Sequence, residues 1–485
     1  MNTSENATLE LSKIDPLATE PIRKLLRKFA VPSIISLVIS ALYNIVDQIF
    51  IGNGVGTVGN AATNIAFPLS TVCIAFALLI GIGTASNFNL ATGRGNRELA
   101  GRYAANGITL LIISGLFVTA MTALFLKDLL YLFGATDEIY PFAYEYTVIT
   151  NIGMPFLIFT TGMSHIIRAD DSPRFAMLTM LSGAIINTIL DPIFIFVFHW
   201  GMFGAALATV IGQIASVIPI IFYCKRFKSC KLKRTMFIPK KEVVLKILLL
   251  GMAAAFNQAA ITTIIIVSNN VMRIYGSASE YGSEIPLAVV GVVSKVNIIY
   301  LSVVIGICQG CQPIIGHNYG AKDYTRVKQT YYLALKIVTV VSILSFLVFQ
   351  IFPRQITVLF GSGNELYFKF ATSYFRIFMV MTWVNGLQPL SATFFTSIGK
   401  SWKGIILSLS RHIIFFLPLV LIIPTFIGID GILYAGPIAD FAAACVCAIL
   451  IIGELRKVTK LSREHTMMNS LEHHSLDCPI PNVHD

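Results

Sequence analysis

Twelve runs of mostly apolar residues, each about twenty residues or longer, fill most of this chain. They lie at 29–52, 64–90, 104–126, 143–167, 176–199, 201–224, 243–271, 287–315, 330–352, 368–397, 404–427 and 431–453. A helix crosses the hydrocarbon core of a bilayer in about 20 apolar residues, whereas a barrel strand needs only about 9–11. The runs therefore predict an all-α integral membrane protein of twelve transmembrane helices. The fifth and sixth runs nearly touch, with Trp200 and Gly201 as the corner. Charge content agrees, because only 13% of the 485 residues are charged. A soluble protein carries about 25%, so much of this surface is built to meet lipid. The polar start of the chain, through about Arg27, has no signal-peptide pattern.

Loop charge sets the expected orientation, since Lys and Arg favour cytoplasmic loops. Lys13, Arg23, Lys24, Arg27 and Lys28 precede the first span, and Arg94, Arg97 and Arg102 follow the second. Arg168 and Arg174 follow the fourth, eight basic residues from Lys225 to Lys241 follow the sixth, and Lys322, Arg326 and Lys328 follow the eighth. Lys400 and Lys403 follow the tenth, and Arg456, Lys457, Lys460 and Arg463 follow the twelfth. The alternate loops hold only Lys127, Arg273 and Arg354. This alternation predicts a multi-pass protein of the plasma (inner) membrane with both termini cytoplasmic. The net charge of +11 follows from it and points to anionic lipid headgroups, with no call for nucleic acid. Cys73, Cys308, Cys311, Cys445 and Cys447 fall within spans, and Cys224, Cys230 and Cys478 on the reduced cytoplasmic side, so the eight cysteines read as packing residues rather than a disulfide set.

The two halves resemble each other. Gly81-Ile82, Gly95 and Arg97 recur as Gly306-Ile307, Gly320 and Lys322, at an offset of 225. Leu190-Asp191-Pro192 recurs as Phe416-Leu417-Pro418, and Ser172 and Arg174 as Ser401 and Lys403. Six spans per half is an even number, so both halves enter the membrane from the same side and form a parallel repeat about an axis along the membrane normal. The expected divisions are a cytoplasmic segment 1–27, a six-helix lobe 28–224, a basic linker 225–242, a second six-helix lobe 243–455 and a cytoplasmic tail 456–485. The tail carries His465, His473, His474 and His484 and reads as a polar terminus.

Two lobes about such an axis suit a transporter that exposes a central cavity alternately to each side. Charge inside spans then marks working residues, because a carboxylate at mid-helix costs at least about 2.5–3.5 kcal/mol. Asp47, Asp191 and Asp440 are the acids well inside spans. Asn44 and Asp47 share a helix face, as do Asn187 and Asp191. Counted from the span ends at 1.5 Å per residue, Asp47, Asp191 and Thr209 each lie roughly 7–12 Å inside the outer boundary. A polar cluster in the outer half of the N-terminal lobe is expected. Its oxygens suit a small hard cation. Alternatively the two carboxyls share a proton, because full ionisation of two adjacent acids is costly. The bland alternative is an Asn–Asp network that only packs helices. In the second lobe, Asp440 and Lys295 fall at similar depth, either as an ion pair across the cavity or as cavity-lining charges. Arg411 would snorkel toward the cytoplasm. Asn257, Gln258, Thr262, Gln309 and Gln312 line the cavity or bond neighbouring helices.

Val31-Pro32, Tyr43 to Gly52 (YNIVDQIFIG), the glycine-rich exit of span 2 at Gly81–Gly95, Asn187 to Pro192 (NTILDP) and Gly204 to Thr209 (GAALAT) together resemble the multidrug and toxic compound extrusion (MATE) family of secondary transporters, over roughly residues 25–455. The resemblance implies a V-shaped two-lobe fold and antiport driven by H⁺ or Na⁺, with no other cofactor. It implies export of cationic or amphipathic organic compounds, by what is expected to be a monomer. It places an ion or proton site on Asp47 and Asp191, with Asn187 and Thr209 beside them, and a substrate cavity that Tyr43 would help line. Some relatives place asparagines on span 4; here Thr161 and Ser164 stand at those positions.

A related flippase for a lipid or lipid-linked saccharide would share the two-lobe form and favour cavity cations such as Lys295 and Arg411. An enzyme is not expected, because no loop is long enough for a catalytic domain and none carries a phosphate-binding Gly-Lys or a His-Glu metal motif.

Overall fold

The computed structural model describes residues 16–282, 284–360 and 364–476. Twelve membrane-length segments follow in order, labelled α1 to α12. The first six are α1 (Ile22–Gly54), α2 (Thr57–Gly93), α3 (Arg97–Leu132), α4 (Tyr140–Ala169), α5 (Pro173–Pro192) and α6 (Gly201–Cys224). The second six are α7 (Lys241–Ser277), α8 (Glu284–Gly320), α9 (Tyr324–Ile351), α10 (Glu365–Phe378, Thr382–Asn385 and Leu387–Ser397), α11 (Ser401–Leu409 to Pro424–Ile427) and α12 (Asp430–Leu476). The architecture is the twelve-helix, two-lobe form expected from the sequence. Ten of these helices are long and apolar enough by themselves to cross a membrane. The other two are α4 and α10, and each departs for a visible reason. α4 is an interior helix that buries Thr147, Asn151, Thr160, Ser164, His165 and Arg168. The expected continuous span at 368–397 is instead broken, near Met379–Met381 and again at Gly386. Gly386 sits where a Cβ would run into Val338 and Ser342 of α9.

Prolines shape the ends of α5 and α11. Pro192 has no N–H to give, and the chain after it winds as a π-turn over Ile193–Val197. His199 and Gly201 then take positive φ (56° and 52°) to make the tight corner into α6. In the second half a π-turn over Ser410–Phe416 precedes Pro418. α12 does not stop near 453 as expected but continues as helix to Leu476. The side chains of His465, His473 and His474, and all of Cys478 and His484, lie outside the described residues.

Packing assigns most helices to one lobe and splits two. One core joins residues of α2, α3, α4, α5 and α6 and takes in Val243 and Ile247 from the start of α7. The core of the second lobe takes in Leu17, Leu25, Leu26, Phe29 and Ala30 from the start of the chain. So α1 and α7 exchange their basic-face ends between lobes. Arg326 reinforces the exchange by donating to the Leu17 and Glu20 carbonyls (3.0 and 2.7 Å).

The lobes close against each other at the basic face. Gly83 and Gly251 let α2 and α7 cross backbone to backbone, and Gly306 and Gly310 do the same for α8 against Ile34 and Ala30 of α1. Gln312 donates to Ser86 Oγ (3.0 Å), and Asn87 donates to the Lys246 carbonyl (3.0 Å). Among the described residues, no hydrogen bond or ion pair joins the lobes in the opposite half of the molecule.

Candidate functional site

The acidic cluster forms where α1, α5, α6 and α4 meet, on the side away from the basic face. Two glycines bring α5 and α6 close enough to build it. A Cβ at Gly212 would sit 2.8 Å from the Gly183 carbonyl and 3.0 Å from the Asn187 Cβ. With both positions bare, Asn187 Nδ2 reaches Asp191 Oδ1 at 3.4 Å and Thr209 Oγ1 at 3.2 Å. Asp191 is fully buried and Asn187 nearly so. Asp47 reaches in from α1, and its carboxyl faces that of Asp191 within hydrogen-bonding reach. The hydroxyls of Tyr43 and Tyr146 lie against Thr209, with both carboxyls within electrostatic range.

The decisive feature is a surplus of acceptors. Asp47 Oδ1, Asp191 Oδ2 and Asn187 Oδ1 are buried, and none receives a hydrogen bond. Unsatisfied buried acceptors cost roughly 1–3 kcal/mol each, more when charged. Three of them converging around two facing carboxyls call for an added positive species: a proton shared between the acids, or a small cation ligated by oxygen. The oxygen-only donor set fits Na⁺ as a hard ion, with Asp47, Asp191, Asn187 and Thr209 as the groups that would hold it.

Other expected members fall elsewhere. Asn44 is exposed and gives its amide to the Ser40 carbonyl (2.6 Å). Ser164 is buried and bonds the Thr161 carbonyl (2.8 Å). Both Thr161 and Ser164 lie about 22 Å or more along α4 from Tyr146, so α4 enters the cluster through Tyr146 and not through them. Nothing in the sequence singled out Tyr146, one of 17 tyrosines.

The second lobe differs from the expectation. Asp440 pairs with Arg411, not Lys295: Arg411 Nε donates to Asp440 Oδ1 at 2.6 Å. The pair is largely buried, and Arg411 turns inward rather than snorkelling. The π-turn over Ser410–Phe416 contains Arg411 and shifts its direction from that of a regular helix. Tyr300 of α8 lies within electrostatic range of both partners. Lys295 is half-buried and makes no ion pair among the described residues. It lies eleven residues before Gly306, about three turns on the same face of α8, which is the face that meets α1. In the antiparallel register set by Gly306–Ile34 and Gly310–Ala30, Lys295 stands level with Ile45, at the height of the acidic cluster. Asn257 and Gln258 are half-buried, and Thr262 bonds the Gln258 carbonyl (3.2 Å). The Gln309 side-chain oxygen is buried without a donor. Gln312 belongs to the basic-face closure and not to the cavity.

The turn after α4 and the linker form a third polar cluster, outside the spans. Asp170 accepts from Tyr223 Oη (2.7 Å), Lys228 N (2.7 Å) and Ser229 N (2.8 Å). Burial pushes its carboxyl above the usual range, and these bonds oppose the shift. Burial also raises the Cys230 thiol to about 12, which leaves it protonated and unreactive.

Comparison with known proteins places this geometry. The MatE family pattern matches residues 32–193 and 259–422, one stretch in each lobe. The chain is 23% identical over 436 residues to the multidrug export protein MepA of Staphylococcus haemolyticus, spanning 90% of this chain and 94% of that one. It is 24% identical over 442 residues to an FAD transporter of Shewanella oneidensis, spanning 90% and 95%. Among solved structures, an outward-facing multidrug resistance MATE family transporter of the MOP superfamily superposes with a TM-score of 0.85 at 23% identity, covering 92% of this chain and 98% of the other. A MOP superfamily transporter from Pyrococcus furiosus, described as having a binding pocket of reverse polarity, superposes with the same score, identity and coverage. On the two-lobe fold and the family pattern matched across both lobes, the chain belongs to the MATE family of multi-pass membrane transporters.

Proposed function

We propose that this protein is a secondary active antiporter that exports cationic or amphipathic organic compounds in exchange for H⁺ or Na⁺. The observation that carries the reading is the facing pair Asp47 and Asp191, with three buried acceptors around it that lack donors. With the basic face as the cytoplasmic side, this conformation is open outward, with Asp47 half-buried and Asp191 buried beside it. An ion arriving from outside neutralises the pair. That lowers the cost of burying it as the outer cavity closes and the basic-face contacts separate. Release inside restores the charge, and a cationic passenger then favours the return. Multidrug export by the MepA relatives supports the substrate class.

The test is efflux of a fluorescent organic cation from sealed vesicles, with Na⁺ and proton gradients imposed separately. Export driven by one gradient and abolished by Asp47→Asn is the expected result. An Asp47→Asn protein that exports the cation against its gradient with unchanged ion dependence overturns the reading.

A second reading rests on Lys295, which is half-buried, makes no ion pair among the described residues and stands at the height of the acids. In this reading the passenger carries an anionic group, as a lipid or lipid-linked saccharide flippase would require. The relative named as an FAD transporter supports an anionic passenger in this fold. Movement of a labelled anionic lipid, lost in Lys295→Gln, with no gradient-driven movement of organic cations, is the result that favours it.

A further inference from the structure

A cavity of about 320 Å³ opens at the basic face, where the two lobes meet. The first lobe contributes Asn87, Arg94 and Tyr103, the α7 end that packs with it contributes Lys246 and Leu249, and the turn from α10 to α11 in the second lobe contributes Ser401. No carboxylate lines it. Several cations of the basic belt are paired within the protein. Arg102 pairs with Glu98, Lys28 with Asp171, and Lys400 and Lys403 with Glu454. Arg94 and Lys246 are exposed and make no ion pair among the described residues. The Tyr103 hydroxyl makes no hydrogen bond among the described residues, and Arg94 lies within electrostatic range of it. The remaining wall is apolar, and Leu249 is 44% exposed.

We propose that this cavity binds the headgroup of an anionic phospholipid, and that the bound lipid holds the lobes closed on the basic face. The position selects a lipid over a soluble anion. Arg94 caps α2, and Lys246 lies five residues into α7, about 7.5 Å along the axis, so the two cations span the headgroup layer. Tyr103, at its wall, adds a neutral hydrogen-bonding group. Leu249 lies one turn deeper than Lys246, where the acyl chains begin. The state dependence follows from which lobe supplies each group. Arg94 and Lys246 both pack with the first lobe, where the Asn87 amide bonds the Lys246 carbonyl (3.0 Å), whereas Ile398, Gly399 and Ser401 come from the second. When the lobes part at this face the two cations lose the wall at Ser401, so a ligand that contacts both walls favours the closed form by its difference in affinity.

The experiment titrates the purified full-length protein with phosphatidylglycerol or phosphatidylcholine and counts retained lipids by native mass spectrometry. One phosphatidylglycerol should be retained in preference to phosphatidylcholine. Each cation near the surface contributes about 5-fold, so R94Q/K246Q should weaken retention roughly 25-fold. The control R97Q/R174Q removes two charges from the same belt outside the cavity and should leave retention unchanged. Melting curves and elution profiles establish that both variants are folded. In nanodiscs, spin labels at positions 97 and 322 should report a larger closed fraction with phosphatidylglycerol than with phosphatidylcholine, and R94Q/K246Q should erase the difference. Equal retention of the two lipids overturns the proposal, as does equal weakening by the control pair, which would assign the effect to the belt. Displacement by millimolar inorganic phosphate would assign the site to a soluble anion, and an unchanged closed fraction would remove the coupling.

Discussion

Gly251→Ala should open the basic face. Gly251 lies on α7 where it crosses α2, and an added Cβ would meet the Leu79 carbonyl oxygen, with the Leu79 carbonyl carbon at 2.5 Å and Cα at 2.8 Å. These are backbone atoms of a long helix, so no flexible side chain can turn aside. Ordinary carbon contacts need about 3.5–4.0 Å, so α2 and α7 must separate by on the order of 1 Å. The contact is reciprocal, because Gly83 of α2 faces the Ile247 carbonyl of α7 in the same way. Relief at one glycine therefore loosens both. Overpacking of this kind costs about 1–3 kcal/mol, a shift of roughly 5- to 150-fold against the closed form. The helix-propensity gain of Gly to Ala, about 1 kcal/mol, applies to both conformations and cancels. Spin labels at exposed positions 97 and 322 should report a longer, broader distance in Gly251→Ala, and gradient-driven export should fall. Gly291→Ala is the control, since a Cβ there meets nothing within 4 Å. A Gly251→Ala protein with the parent distance distribution and parent transport would falsify the claim that these glycine crossings hold the basic face shut.

Two further outcomes follow from the same contacts. Arg411→Gln leaves Asp440 buried without its cation and should destabilise the protein by about 3–5 kcal/mol, seen as a lower unfolding temperature, whereas R411M/D440L should recover most of the loss; equal stability of the single variant and parent would mean the pair is not formed. Cys230, with its thiol raised to about 12 by burial, should resist maleimide at pH 7–8 in the folded protein and react once it is denatured, and rapid labelling of the native protein at position 230 would contradict its packing against Gly101.

What the sequence disclosed and what it hid divide along a physical line. The span count was legible because hydrocarbon thickness fixes a length, and it held even for α4, whose polar stripe lowers its hydropathy. Asp47 and Asp191 were legible because a charge in lipid is too costly to be incidental, and counting residues from a helix end gives depth. Depth does not give direction around the helix. That is why the sequence sets Lys295 against Asp440 whereas the structure pairs Asp440 with Arg411: the π-turn at Ser410–Phe416 redirects Arg411, and no residue pattern announces a π-turn. Tyr146 was hidden for a similar reason, since which tyrosine reaches Thr209 depends on how α4 packs. Gln312 reads as a cavity residue from depth alone, but α8 leans on α2 at Ser86.

The internal repeat carries the argument further, because the fold is symmetric and the chemistry is not. Leu190-Asp191-Pro192 aligns with Phe416-Leu417-Pro418, so the buried acid of the first lobe is a leucine in the second. The offset of 225 likewise sets Asp47 against Met272, which is fully buried among apolar neighbours in the second core. Both lobes kept the proline and a π-turn beside it, which position the helices, while only the first kept the two carboxyls. The second lobe instead closes its own charge internally through Arg411 and Asp440. Rocking about a symmetric axis needs matching helices on both sides, whereas coupling needs one binding event to favour one direction of the cycle. Duplicate ion sites facing each other would bring like charges together as the outer side closes. A single acidic pair, with no acid at the matching positions of the second lobe, is neutralised by one binding event, which on the proposed mechanism lowers the cost of closing the outer side. The sequence divergence between the halves therefore includes the two acids of the cluster.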